Sequence, residues 1–317
     1  AGPFSLTGQP NAMGGREVGG LANLLSAHRD LGNAEHRAEV ARLWGVESVP
    51  ATPGKTAVEM FQAAADGEIR ALWIACTNPA QSLPDQATVR RALQRAEFVV
   101  VQEAFATTAT CTYADLLLPA TTWGEKDGTV TNSERRISRV RAAVPAPGEA
   151  RHDWRIVVDL AHRLEVRLGR PGLFPYATPE AIWNEQREST RGRDLDITGL
   201  SYALLEQRGP QQWPMPEGAA QGAARLYGDG VFPTPDGRAR FVDAEYRPPH
   251  EARSAHRPFA LITGRLRDQW HGMTRTGTLG RLFGHESAPV LQLNPRDLAV
   301  RGFADGDLVR VSSARGS

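Results

Sequence analysis

An α/β fold organised around a parallel sheet is predicted by three observations on the stretch from Ala71 to Arg141. Ala71–Ala75 and Phe98–Val101 have the length and apolar content of buried strands, and Leu116–Leu118 fits a third. Between the first two, Asp85–Ala96 places Val89, Ala92, Leu93 and Ala96 on one helical face. Strands that are apolar throughout suit parallel pairing covered on both faces. In such sheets ligands lie at the carboxyl ends of the strands. Here those ends carry Thr77 and Asn78, then Gln102 and Glu103. A carboxylate there can accept from ribose hydroxyls and an amide can read a base edge. Spacing alone favours the plainer reading of polar residues leading from strand into loop.

Composition bounds the function. The 317 residues suffice for a large core and two domains, and a formal charge of +1 gives no global reason to expect nucleic acid or membrane partners. No run approaches the ~18 apolar residues of a membrane span, and no signal peptide opens the chain. Cys76 and Cys111 stand without any C-x-x-C and are expected to be two buried, reduced thiols. The eight histidines form no H-x-x-x-H or H-E-x-x-H pair, so no metal ligands are assigned. The abrupt opening and an ending just past a strand-like run lead us to expect an internal piece of a longer protein.

In chain order, Gly8–Gly20 is glycine-rich around Gln9, Asn11, Arg16 and Glu17. That density suits close approach to a bulky ligand or several left-handed turns, the turns being the simpler reading. Ala34–Trp44 reads as a helix with Val40, Leu43 and Trp44 on its buried side. Gly54-Lys55-Thr56 imitates a phosphate loop but has Val49 where the motif needs glycine; Thr56 and Glu59 instead make a capping box for a helix to about Asp66. Lys126, Arg135 and Arg136 supply donors, and Gly128–Thr131 is extended, fitting a ligand-side strand and a solvated hairpin equally. The run Ser133–Arg141 lacks the interleaved aromatics of a nucleic-acid surface.

His152–Leu168 reads as an amphipathic helix with Ile156, Val157, Leu160, Ala161 and Leu164 inward and Asp153 as its N-cap. Further helices are expected near Pro179–Glu188 and Ile197–Gln207, and a hairpin over Phe232–Val242 around Pro235-Asp236-Gly237. Gly228-Asp229-Gly230 fails as a dinucleotide fingerprint, since Pro233 replaces the third glycine. From Pro258 the texture is β: strands over Phe259–Thr263, Pro289–Leu293 and Asp307–Ser312, with a short helix begun by Asn294-Pro295 and ended at Gly302. This order suggests part of a small closed barrel. The loop from Thr263 to Thr276 is dense in donors.

Several of these motifs together resemble the molybdopterin oxidoreductase superfamily, nearest to the catalytic subunit of assimilatory nitrate reductases. They are T-G-Q-P-N-A-M-G-G-R-E-V-G-G, A-L-W-I-A-C-T-N-P, W-G-E-K-D-G-T-V-T-N-S-E-R-R, T-G-R-L-R-D-Q-W-H-G-M-T-R-T-G and D-G-D-L-V-R-V. The resemblance implies residues 1–168 as an α/β dinucleotide-binding region, 169–250 as a helical and irregular connection, and 251–317 as the start of a double-psi type β-barrel. It implies molybdenum held by two molybdopterin guanine dinucleotides, and a [4Fe-4S] cluster bound by the N-terminal part not included here. The implied reaction is reduction of nitrate to nitrite by oxygen-atom transfer, in the cytoplasm. Electrons would come from a ferredoxin, a flavodoxin or an NADH-dependent flavoprotein.

By matching motifs, Asn78, Gln102 and Glu103 would meet the nucleotide end of one dinucleotide, with Lys126 and Asp153 also touching the cofactor. Thr263, Gly264, Arg265, Trp270, His271 and Gly272 would lie along the pterin and its phosphates. Gln9, Gly14 and Gly15 would approach the metal centre or the substrate funnel. The family's cluster-binding cysteines and its molybdenum-ligating segment are not in this sequence, so the chain alone is expected to be inactive. Formate dehydrogenase and a cofactor-free structural relative are the alternatives.

Overall fold

The computed structural model describes residues 9–249, 251–314 and 316. The chain divides between Ala239 and Arg240 into two units.

The first unit opens with helix α1 (Ala12–Glu17), where glycine-rich loop was expected, followed by the short antiparallel pair β1 (Leu24–Leu25) and β2 (Arg29–Asp30). Helix α2 (Ala34–Trp44) starts where the Asn33 side chain accepts the Glu35 and His36 amides, and it stops at left-handed Gly45. Helix α3 (Ala57–Asp66) carries the Thr56–Glu59 capping box and ends at Gly67, also left-handed. Then come β3 (Ala71–Ala75), α4 (Pro79–Ser82), α5 (Gln86–Arg95) and β4 (Phe98–Glu103). β5 (Leu116–Pro119) completes a parallel sheet of order β3-β4-β5, with Ala71 opposite Phe98 and Val101 opposite Leu117.

Helices α3 and α5 bury Leu72, Ile74, Val99 and Val101 under Phe61, Ala64, Val89, Ala92 and Leu93. The opposite face was expected to be covered too, yet Trp73, Phe98 and Leu116 are exposed. An apolar strand declares which face can be buried; it does not supply the partner.

The chain continues through the antiparallel hairpin β6 (Gly128–Thr131) and β7 (Arg136–Val140), then α6 (Asp153–Leu168), α7 (Pro179–Ser189), α8 (Tyr202–Arg208) and β8 (Gln211–Gln212), which pairs with β7. Ile137, Trp183, Leu195, Ile197, Leu200, Tyr202, Leu205, Trp213 and Met215 form a second core. The helix expected from Ile197 begins only at Tyr202. The Gly199 N–H donates to Met215 O at 2.9 Å instead, and a Cβ at position 199 would lie 2.5 Å from Pro216 O.

Two buried faces are corrected. In α2, Val40 is buried but Leu43 and Trp44 are exposed. In α6, Ile156 is buried with Val158, whereas Val157, Leu160 and Leu164 face outward. The Phe232–Val242 hairpin reduces to a turn closed by Phe232 N–H to Gly237 O and Gly237 N–H to Thr234 O, both 3.0 Å; no strands flank it among the described residues.

In the second unit, α9 (Pro295–Arg301) forms as expected between the Asn294 cap and left-handed Gly302, and Gly306 turns at positive φ. Phe259–Thr263, Pro289–Leu293 and Asp307–Ser312 do not pair as strands. Among the described residues of this unit the only bridge joins Ser313 to Gly316, so no barrel closes here. Strand composition is half of a strand; the ladder partner is the other half.

Candidate cofactor site

The carboxyl ends of β3 and β4 are joined to the first turn of α6 by one side chain. Asp153 Oδ1 accepts from Gln102 Nε2 at 2.8 Å and from the Cys76 thiol at 3.5 Å, and Asp153 Oδ2 meets Lys126 Nζ at 3.1 Å. Asp153 is therefore not the cap of α6. His152 occupies that position, and the Asp153 carboxylate reaches across to the strand ends instead. Burial pushes the Asp153 carboxyl up, but the Gln102 amide and the Lys126 ammonium outweigh it and hold the group below its usual range. Lys126 also donates to Thr121 O at 3.4 Å, and its ammonium stands 5.0 Å from the centre of the Trp123 ring.

Gln102 is 2% exposed, and its Oε1 has no hydrogen-bond partner among the described residues; the same holds for the buried Thr121 Oγ1. Buried acceptors and hydroxyls are normally satisfied, so these two orphan atoms beside a cation fit a polar ligand bearing its own donors. Sequence reasoning did not find Thr121. Its signal is only its place just past β5.

Cys76 is exposed rather than buried and adopts a left-handed backbone (φ 59°), donating its N–H to Gln102 O at 3.1 Å. Although the residue is exposed, its thiol is turned inward onto Asp153, and the sulfur's local loss of hydration together with that negative charge pushes it up to about 11. Cys111 is buried.

Asn78 and Glu103 lie at the same strand ends but bond locally. Asn78 Oδ1 accepts Thr110 N at 3.1 Å and Thr110 Oγ1 at 2.6 Å, and its Nδ2 donates to Gln81 Oε1. Glu103 Oε1 accepts the Ala104 amide at 2.7 Å. The structure thus brings Gln102, Lys126 and Asp153 together and leaves Asn78 and Glu103 tied to their own loops.

A groove of about 510 Å³ runs beside this cluster, lined by Asp127, Arg151, His152, Trp154, Arg155 and Asp159. His152 Nδ1 and Trp154 Nε1 are buried there without partners among the described residues. The H-D-W run was the available signal for these two.

Gln9, Gly14 and Gly15 sit elsewhere, at α1. Gln9 is exposed at the helix entrance, and Gly14 is buried because Asn11 folds over it; a Cβ at position 14 would overlap Asn11 Oδ1. In the second unit, Thr263 and Gly264 are exposed and irregular. The Trp270 ring is flanked by the guanidinium groups of Arg265 at 5.9 Å and Arg275 at 5.8 Å, with His271 edge-on at 4.9 Å. The turn preceding Gly272 has His271 at φ 45°. Among the described residues no group of three or more His, Cys, Asp or Glu could hold a metal ion, and no helix is long and apolar enough to cross a membrane.

Comparison with known proteins gives this geometry its context. Residues 5–163 match the family Molybdopterin oxidoreductase, and residues 259–317 match the Molydopterin dinucleotide binding domain. A nitrate reductase of Klebsiella oxytoca is 43% identical over 99% of this chain and 36% of its own length. The assimilatory nitrate reductase catalytic subunit of Bacillus subtilis is 37% identical over 99% of this chain and 44% of its own. The chain thus spans less than half the length of these relatives. Among solved structures, the acetylene hydratase of Pelobacter acetylenicus aligns with a TM-score of 0.54 at 16% identity, covering 86% of this chain and 38% of that one, a likeness of fold. With its parallel α/β sheet and both matched segments, the chain belongs to the molybdopterin oxidoreductase family.

Proposed function

We propose that this chain is part of the catalytic polypeptide of a molybdenum-dependent nitrate reductase, reducing nitrate to nitrite by two electrons. The observation that carries the reading is 43% identity to a nitrate reductase across 99% of the chain. When bound, the molybdenum cofactor with its two pterin guanine dinucleotides supplies the oxygen-atom and electron-transfer chemistry. The residues of this chain bind and orient it.

Gln102 Oε1 is a buried acceptor aligned with the needs of a nucleotide's N–H donors, and Thr121 adds a hydroxyl. Lys126 brings positive charge, and Asp153 fixes both Gln102 and Lys126 in place. Asn78 and Glu103 shape the adjoining loops. Arg265 and Arg275 about Trp270 suit phosphate or pterin oxygens, alongside Thr263, Gly264, His271 and Gly272. Gln9, Gly14 and Gly15 belong near the substrate. The same reading holds a [4Fe-4S] cluster outside the residues of this chain, a cytoplasmic location, and a ferredoxin, flavodoxin or NADH-dependent flavoprotein as donor. It also takes residues 251–317 as the opening of a double-psi barrel, on the support of the family match over 259–317.

The test uses the molybdenum-loaded holoenzyme that carries this chain, with reduced viologen as donor. One nitrite formed for every two electrons consumed supports the proposal. Dye reduction by formate, without response to nitrate, replaces it with a formate dehydrogenase.

A further inference from the structure

Helix α1 is too short to stand alone, since isolated helices need about 12–15 residues to be even marginal in water. It is held from outside at both ends by one residue of β6. The Thr131 N–H donates to Asn11 Oδ1 at 2.9 Å, before the helix, and the Thr131 hydroxyl donates to Glu17 Oε2 at 2.9 Å, at its last residue. Asn11 stands at the N-cap position yet makes no capping bond, because its side chain is turned toward Thr131 across Gly14. Glu17 is 6% exposed, and its other oxygen accepts from Trp213 Nε1 in the second core. Its backbone carbonyl accepts Ala27 N–H at 2.8 Å and Gln186 Nε2 at 3.3 Å.

We propose that Thr131 and Glu17 are positioning residues. Through this clasp they fix α1, and with it Gly14 and Gly15, for the substrate. The inference rests on the proposed function, which sets those glycines beside nitrate. A buried carboxylate is an expensive anchor for a surface turn, since an ionised group must recover its lost hydration through hydrogen bonds. Two neutral donors on its carboxylate and two more on its backbone carbonyl make sense if the exact pose of the six-residue helix that Glu17 ends matters.

The hydroxyl can be removed without emptying the site. Thr131→Val keeps the volume and the N–H bond to Asn11 but loses the bond to Glu17; Thr131→Ser keeps both bonds. In the molybdenum-loaded holoenzyme, Thr131→Val is expected to speed amide exchange at Gly15, Val18 and Gly19, whose N–H groups donate to the carbonyls of Asn11, Gly14 and Arg16, by about tenfold or more. It is also expected to lower kcat/KM for nitrate by about ten- to hundredfold, the scale of an ångström-sized misplacement. The KM for the reduced dye should be unchanged, and Thr131→Ser should restore both exchange and kinetics.

Exchange at α1 that is as slow in Thr131→Val as in the wild type overturns the clasp. Faster exchange with unchanged nitrate kinetics overturns the positioning role. If the wild-type holoenzyme does not reduce nitrate at all, the proposed function fails and the link to substrate fails with it, while the exchange data still report whether the clasp holds α1.

Discussion

Lys126 Nζ stands 3.1 Å from Asp153 Oδ2, and this pair ties the loop after β5 to the first turn of α6. Asp153→Asn keeps the shape but removes the charge and points either an amide or a lone oxygen at the ammonium. Loss of such a supporting partner is expected to lower cofactor affinity about 10- to 100-fold by analogy with outer-shell partners of metal sites. Guanine nucleotide and molybdenum released from purified Asp153→Asn holoenzyme check this; wild-type content would refute it.

The Cys76 thiol gives a chemical readout of the same cluster. Local loss of hydration and the Asp153 charge push it up to about 11, so only a small thiolate fraction exists near neutrality. Alkylation by iodoacetamide should be slow at pH 7 and rise about tenfold per pH unit until it levels near that value, since the thiolate is the nucleophile. In Asp153→Asn the levelling point should move down. Rates followed by mass spectrometry decide it.

Of two glycines near α1, one is required for space and the other is not, as substitution would show. Gly19 has φ 78°, and a Cβ there would lie 2.5 Å from Leu25 C. Gly19→Ala combines a left-handed backbone with a backbone clash and should destabilise by about 1–3 kcal/mol, the range for such strained residues. Gly15→Ala meets open space and should leave the thermal midpoint near wild type. Parallel melting curves distinguish the two.

Much of the first unit was legible because its signals are local. The run Ala71–Ala75 and the Asp85–Ala96 helix carry their own periodicity, and Thr56 with Glu59 announces a cap three residues apart. Faces were less legible. Leu43, Trp44, Val157, Leu160 and Leu164 are periodic, but periodicity cannot tell whether a neighbour arrives. Asp153 at a helix start looks like a cap until the fold brings Gln102 within 2.8 Å. Glu17 carried no signal at all, since its partners Thr131 and Trp213 are set by tertiary structure alone. Among its described residues the second unit lacks paired strands for the same reason that Trp73 lies open: composition proposes a surface and packing disposes of it.

Glu17 also has a pH signature opposite to that of Asp194. Burial raises the Glu17 pKa above its ordinary 4.5 despite the bonds from Thr131 and Trp213. Its contribution to stability is therefore full below about pH 4.5 and is lost as pH rises through the raised value. For Asp194, burial opposes ionisation, but His28 and Tyr227 outweigh it and hold the carboxyl low. That contribution is present above its ordinary value and lost as pH falls through the lowered one. Relative to Glu17→Gln, the wild type should gain stability as pH drops from 7 toward 4.5. A melting-temperature difference that is constant over this range would contradict the assignment.

The clasp on α1 also sets an order of events. Its bonds span 114, 120 and 196 residues of chain, from Glu17 to Thr131, from Asn11 to Thr131 and from Glu17 to Trp213. Contacts so distant along the chain cannot reward the closing of their loops until β6 and the second core already exist. Helix α1 is thus a late-arriving latch. Within this chain, the residues of α1 are made before β6 and the second core but can settle only after both have formed.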